Sequence, residues 1–171
     1  MRSGGGCRRP GGTCRLRGDT DHGQGPAIAP NRVLLGKYRV EAELGRGGMG
    51  VVVRAHHLNL DEVVAIKLLA EEMALTPETF ARFEREAKAA AKLKSEHVVR
   101  VMDVGRLDDG MPYMVMELLD GRDLAQWVKA EGAIAASVAA NLVIQVCEVL
   151  VEAHALGIVH RDLKPSNIFL T

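Results

Sequence analysis

The stretch LGRGGMGVVVR, residues 44–54, decides the fold. Gly45, Gly47 and Gly50 fit the spacing G-x-G-x-x-G, and the residues directly after them set their meaning. In a dinucleotide-binding unit a helix opens directly after the glycines and its N-terminus receives a pyrophosphate. Here Val51, Val52 and Val53 come next, and consecutive β-branched residues favour an extended strand. The glycines therefore belong to the turn of a β-hairpin. Glycine lets such a turn approach a phosphate closely and adopt positive φ. A plain Gly-rich hairpin without a ligand has the same sequence, so this segment alone leaves both readings open.

Outward from the hairpin, KYRVEAELG (37–45) alternates Tyr38, Val40, Ala42 and Leu44, the pattern of a half-buried strand. VVVRAHH (51–57) and the apolar EVVAIKLL (62–69) read as two more strands with short, antiparallel connections. A helix follows over residues 78–94, with Thr76 as N-cap and Pro77 in the first turn. VVRVMDVG (98–105) and PYMVMELL (112–119) are strands four and five, with Asp109-Gly110 as the hairpin turn between them. After Gly121 the pattern becomes helical. A short helix closes at Gly132, and a long apolar one runs from about Ala135 to Leu156. The layout is α+β in two lobes. Residues 33–119 form a five-stranded antiparallel sheet with one helix, and 120–171 form a partial helical lobe.

The formal net charge is zero, but residues 1–32 carry six Arg against Asp19 and Asp21. That Gly/Arg/Pro-rich stretch has no periodicity and reads as a disordered tail rather than a nucleic-acid arm. Cys7, Cys14 and Cys147 are odd in number and lack metal-ligand spacing. They favour a reducing compartment, the cytoplasm, over a disulfide framework. No secretory h-region opens the chain. Asn141, Gln145, Glu148, Glu152 and His154 interrupt the long apolar helix, which reads as a buried helix and not as a membrane span.

Two clusters carry chemistry. Lys67 sits in an otherwise apolar strand, where a charge is costly without a partner unless its stem reaches the sheet edge. Glu86 shares a helix face with Phe83, Ala90 and Leu93, whereas Glu84 points away. The two buried charges predict a Lys67–Glu86 ion pair joining helix to sheet. The second cluster is HRDLKPSNIFLT, residues 160–171, which places Asp162, Lys164 and Asn167 in a loop stiffened by Pro165. Asp can orient or accept a hydroxyl proton, Lys can neutralise a transferring phosphoryl group, and Asn offers an amide oxygen to a hard cation.

Together LGRGGMGVV, VAIK, REA, YMVMELLDGRDL and GIVHRDLKPSN resemble, in order and spacing, the protein kinase superfamily. The resemblance runs from about Lys37 to Thr171 and is strongest to bacterial eukaryotic-like serine/threonine kinases. It implies ATP and Mg²⁺ as cofactors and protein Ser/Thr hydroxyls as acceptors. By the same resemblance, Gly45, Gly47 and Gly50 cover the ATP phosphates, and Lys67 contacts the α- and β-phosphates and pairs with Glu86. Val52, Ala65 and Phe169 sandwich adenine with Leu44 at the rim. Met116 is the gatekeeper, the backbone of Glu117 and Leu119 is the hinge, and Asp123 suits the ribose. Asp162 is the catalytic base, Lys164 steadies the developing charge, and Asn167 is a Mg²⁺ ligand. Lys164, two after Asp162, is the serine/threonine arrangement, and Arg161 resembles kinases switched by activation-loop phosphorylation. No D-F-G or A-P-E follows Asn167, so the chain is expected to be the N-terminal part of a catalytic domain with little activity alone. Two other readings stand beside it. One is a truncated remnant or pseudokinase that binds nucleotide or a partner. The other is a small-molecule phosphotransferase of the same fold, which Lys164-Pro165 disfavours.

Overall fold

Residues 28–48, 50–70 and 77–171 are described in a computed structural model of the chain. The valine triplet forms a strand, as the hairpin reading requires. Strand β1 is Val33–Leu34, β2 Tyr38–Gly47, β3 Gly50–His57, β4 Glu62–Leu69, β5 Val101–Arg106 and β6 Pro112–Glu117. They form one antiparallel sheet in the order β1-β2-β3-β4-β6-β5. All five expected strands are present, and the two-residue β1 adds a sixth at one edge. In the glycine hairpin Gly47 pairs with Gly50. Gly50 has φ +136°, and a Cβ there would collide with the Leu68 carbonyl oxygen. This glycine serves the packing of β3 on β4.

Alternation along the strands gives the sheet two faces. Val51, Val53 and Ala55 of β3, Val64, Ile66 and Leu68 of β4, and Tyr113 and Val115 of β6 are buried in one cluster with Tyr38 and Val40. Beyond Val40 the expected alternation of β2 fails: Ala42 and Leu44 are exposed. Register shifts between Val40 and Ala42 and between Glu43 and Gly45 turn the strand off the core, the usual effect of a bulge. The folded unit also starts earlier than the expected boundary at residue 33. Ile28 joins the core cluster, Asn31 N–H donates to Val40 O at 2.8 Å, and Arg32 pairs with Asp109 at 3.2 Å. Of the tail expected over 1–32, residues 1–27 lie outside the described residues, as does the Thr76 cap.

Helix α1, Pro77–Ala90, buries Phe83 and Ala87. Its regular part stops short of the expected Lys94, because Lys92 and Leu93 N–H donate to the carbonyls only three residues back. The β5–β6 hairpin turns at Gly110, φ +85°, with the Asp109 carboxylate accepting from Met111 N–H at 3.1 Å.

The second region is sparse in burial. Strand β7, Arg122–Asp123, pairs with β8, Phe169–Leu170. Between them lie helix α2, Leu124–Glu131, helix α3, Ala136–Ala155, and a 3₁₀ turn at Pro165–Asn167. Asp123 caps α2 by accepting from Gln126 N–H at 2.8 Å, and Gly132 closes it with φ +87°. Helix α3 overturns the expectation of a buried helix: Ala153 is its one buried residue, and Val151 is 72% exposed. Its apolar side chains point several ways and find few neighbours among the described residues. By length and composition alone it is long and apolar enough to cross a membrane. It nevertheless carries Glu148 and Glu152, and both contact the segment after α1.

Candidate active site

Pairing across the sheet builds half of the site. Val52 is opposite Gly45 on one side and Lys67 on the other, and Lys67 is opposite Met114. Ala65 is opposite Met116 two residues along β4. Directly paired residues project on the same face. Val52, Ala65, Lys67, Met114 and Met116 therefore share the face opposite the buried core, beside the glycine hairpin. Apart from the buried Ala65, they are half-buried. Around Gly45 and Gly47 no described residue stands within 4 Å of where a Cβ would project, in contrast to Gly50. Among the described residues no packing accounts for the first two glycines. Leu44 is exposed at the rim on the bulged part of β2.

The expected Lys67–Glu86 ion pair is not formed. The Glu86 carboxylate is 65% exposed and lies 3.5 Å from Arg82 Nε, one turn earlier on α1. The helix geometry explains the miss. At about 100° per residue, the inward direction bisecting Phe83 and Ala87 lies roughly 80° from both Glu84 and Glu86. Neither glutamate sits on the core-facing stripe. Glu84 pairs with Lys88 at 2.8 Å. Among the described residues, Lys67 has no carboxylate within ion-pair distance.

The expected cluster of Asp162, Lys164 and Asn167 does assemble. Lys164 Nζ lies 2.8 Å from the Asp162 carboxylate. Asn167 Nδ2 donates to Asp162 O at 2.8 Å and to its Oδ2 at 3.1 Å. The Lys164 hydrogen bond, and then that of Asn167, hold the Asp162 carboxyl below its ordinary pKa, so it is ionised at neutral pH. With Nδ2 committed to Asp162, the Asn167 Oδ1 is the group left to meet a cation. Arg161 holds φ +62°, and His160 Nδ1 accepts from Asp162 N–H at 3.3 Å. The loop thus doubles back on itself so that three side chains separated in sequence meet.

Residues expected at the hinge and ribose sit where the sheet meets the helices. Glu117 N–H donates to Arg100 O at 3.0 Å, and its carboxylate accepts from Arg100 N–H at 2.6 Å. Leu119 lies in the connection to β7. Asp123 and Phe169 are direct partners in the β7–β8 pair, and Leu124 N–H donates to Ile168 O at 2.8 Å. This small pair ties the strand after the Asp162–Asn167 loop to the segment that follows Glu117 and Leu119. Gly121, φ +150°, is needed there, because a Cβ would collide with the Leu170 carbonyl. Phe169 itself is 41% exposed.

Sequence reasoning missed three residues. Met114 lies two positions before Met116, so strand periodicity alone could have placed it beside Lys67. Arg82 is four residues before Glu86, the spacing of a helical ion pair. Glu152 carried no local signal, since its partners lie 57 and 58 residues away.

The model of the protein kinase domain matches residues 38–171. The chain is 43% identical over 152 residues to serine/threonine-protein kinase pkn3 of Myxococcus xanthus, covering 89% of this chain and 27% of that protein. It is 40% identical over 142 residues to the probable serine/threonine-protein kinase PknB of Corynebacterium glutamicum, covering 81% of this chain and 22% of the other. Among solved structures it is similar to the Mycobacterium tuberculosis PknI kinase domain, with TM-score 0.76 and 33% identity over 85% of this chain and 58% of that one. The chain thus spans about a quarter of the length of these curated relatives.

Proposed function

This chain belongs to the protein kinase family, in its bacterial eukaryotic-like serine/threonine branch, and we propose that its residues bind ATP with Mg²⁺ and present a protein Ser/Thr hydroxyl to the γ-phosphoryl group. The observation that carries this reading is the row Gly45–Val52–Lys67–Met114 across the open face of the sheet. It sets a cation beside glycines that leave space, next to the apolar Ala65 and Met116.

The residues present fit the groups the reaction needs. Val52, Ala65 and Met116 offer an apolar bed for adenine, with Leu44 and Phe169 at its margins. Lys67 supplies positive charge for the phosphates. Asn167 Oδ1 is suited to hold Mg²⁺, which neutralises phosphate charge when bound. Asp162, kept ionised by Lys164 and Asn167, orients an acceptor hydroxyl and takes its proton. Lys164 lies 2.8 Å from that carboxylate and can follow charge onto the transferred group. Catalysis of this type rests on positioning and charge, with little covalent chemistry asked of the protein. The 171 residues offer one Mg²⁺ donor in this loop and are proposed to bind nucleotide better than they transfer phosphate. An odd number of cysteines without metal-ligand spacing favours the cytoplasm as its location.

Titration with a fluorescent ATP analogue and Mg²⁺ tests the site. Lys67→Ala should weaken binding about tenfold, the value of one charge-assisted contact, and Lys37→Ala should leave it unchanged. Equal affinities of the two variants would remove Lys67 from the site. Phosphotransfer to a generic protein substrate, with Asp162→Asn as control, should be slow in both. Robust transfer abolished by Asp162→Asn would overturn the proposal that these residues alone are poor catalysts.

A further inference from the structure

Glu43 and Arg46 meet where a regular strand would keep them apart. Successive strand residues alternate faces, so positions three apart project to opposite sides. In β2, however, Glu43 is opposite Val53 and Gly45 is opposite Val52, so two residues of β2 advance against one of β3. Leu44 is the extra residue of this bulge. Past it the alternation resumes in shifted phase. Gly45 lies on the open face with Val52, and Arg46, opposite Val51, returns to the face of Glu43. There the Arg46 guanidinium grips the Glu43 carboxylate with both arms of its fork, Nε to Oε1 at 3.0 Å and Nη2 to Oε2 at 2.6 Å. The same contact holds the Glu43 carboxyl below its ordinary pKa, so the pair is charged at neutral pH. A single exposed ion pair adds little to global stability. This one instead selects between two registers. Without the bulge, Gly45 would turn to the core side and Arg46 to the open face.

We propose that Glu43 and Arg46 are positioning residues for the triphosphate: their clasp on the core-side face locks the bulge that sets Gly45 and Gly47 over the open face. This rests on the reading of that face as a nucleotide site. Arg46 then has a role that its place in the glycine motif conceals. A cation between Gly45 and Gly47 suggests a direct phosphate contact, yet its guanidinium is held on the other side of the hairpin. The same bulge leaves Leu44 half exposed at the rim. Losing the clasp lets the register slip at residues 44–47. That disturbs the phosphate end of the site and spares the apolar bed of Val52, Ala65 and Met116.

The test compares two probes on the full chain: a fluorescent ATP analogue with Mg²⁺, and the adenosine analogue carrying the same fluorophore. Glu43→Arg and Arg46→Glu should each raise Kd for the ATP analogue about fivefold, while Kd for the adenosine analogue stays within about 1.5-fold. Combined, the two substitutions rebuild the pair in reverse and should return the ATP analogue to within about twofold of the parent chain. Equal losses for both probes would overturn the proposal, because a merely structural role is blind to the phosphates. Tighter binding of the ATP analogue by Glu43→Arg, or no recovery in the swapped chain, would also overturn it, since the phosphates would then feel the Arg46 charge itself and not the clasp. A second readout needs no nucleotide. In Glu43→Ala, amide hydrogen exchange at Gly45, Gly47 and Val52 should speed about fivefold or more relative to Val64–Leu68 of β4. Unchanged exchange there would overturn the clasp. Failure of the parent chain to bind either probe would instead fall on the nucleotide reading, with the exchange result still deciding the clasp.

Discussion

The sheet unit and the helical region handle apolar side chains in opposite ways. In the sheet, Ile66, Val64, Leu68 and Val115 are essentially inaccessible, and each faces a neighbour across a register pair. In α3, Val143, Ile144 and Val151 are all more than half exposed. Both segments are equally apolar to the eye. The difference is that one face of the sheet is covered by its own strands together with Ile28, Leu107 and Met111, whereas α3 meets no comparable surface among the described residues. The open face proposed to bind nucleotide thus rests on a scaffold completed by its own residues. The loop proposed to be catalytic, residues 160–167, hangs from elements held mainly by polar contacts: the β7–β8 pair, the Asp123 cap and Glu152.

Three outcomes would break or sharpen that contrast. The largest concerns packing itself. Ile66→Ala should cost about 3 kcal/mol in urea unfolding, through lost burial and the cavity left behind. Ile144→Ala should stay within about 0.5 kcal/mol. A comparable cost at both positions would mean that α3 is covered in solution.

Next is the alkaline limit of the sheet. Burial and then the Asp103 hydrogen bond push the Tyr113 hydroxyl up to about 12 from its ordinary value near 10. The unfolded chain therefore releases this proton first. Tyr113 stabilises the fold fully below pH ~10, and the contribution is lost as pH rises through the folded value. Stability should fall by roughly 2 kcal/mol between those limits, and Tyr113→Phe should show no such component. A pH profile of Tyr113→Phe parallel to that of the parent chain would contradict the assignment.

The smallest effect is on α1. Arg82→Ala removes an exposed helical pair worth about 0.3–0.5 kcal/mol, so unfolding should barely change. Nucleotide affinity should stay within about 1.5-fold, because neither exposed side chain of this pair contacts Lys67. A loss of affinity would mean that Arg82 supports the site directly.

The same contrast explains what could be read from the chain alone. Val51–Val53 after the glycines settled strand against helix, because β-branching and pairing act locally. Asp162, Lys164 and Asn167 were legible because they lie within one short loop. The Lys67–Glu86 pair was not, since the helix phase that points Glu86 away is set by the packing of Phe83 and Ala87. The bulges that expose Ala42 and Leu44 were likewise invisible to a period-two pattern. Burial of α3 was misjudged because composition reports what a helix could bury, not what lies beside it.

Nucleotide binding on the open face of the sheet is tested most directly by titrating the ¹⁵N-labelled chain with Mg²⁺–ATP and following amide chemical shifts. Shifts should gather at Gly45–Val52, Ala65–Lys67, Met116–Leu119 and Asp162–Asn167, with the core residues Val64, Val115 and Tyr38 little moved. Shifts centred on the core face or on α3, or none at all at saturating nucleotide, would contradict the kinase site assembled from these residues.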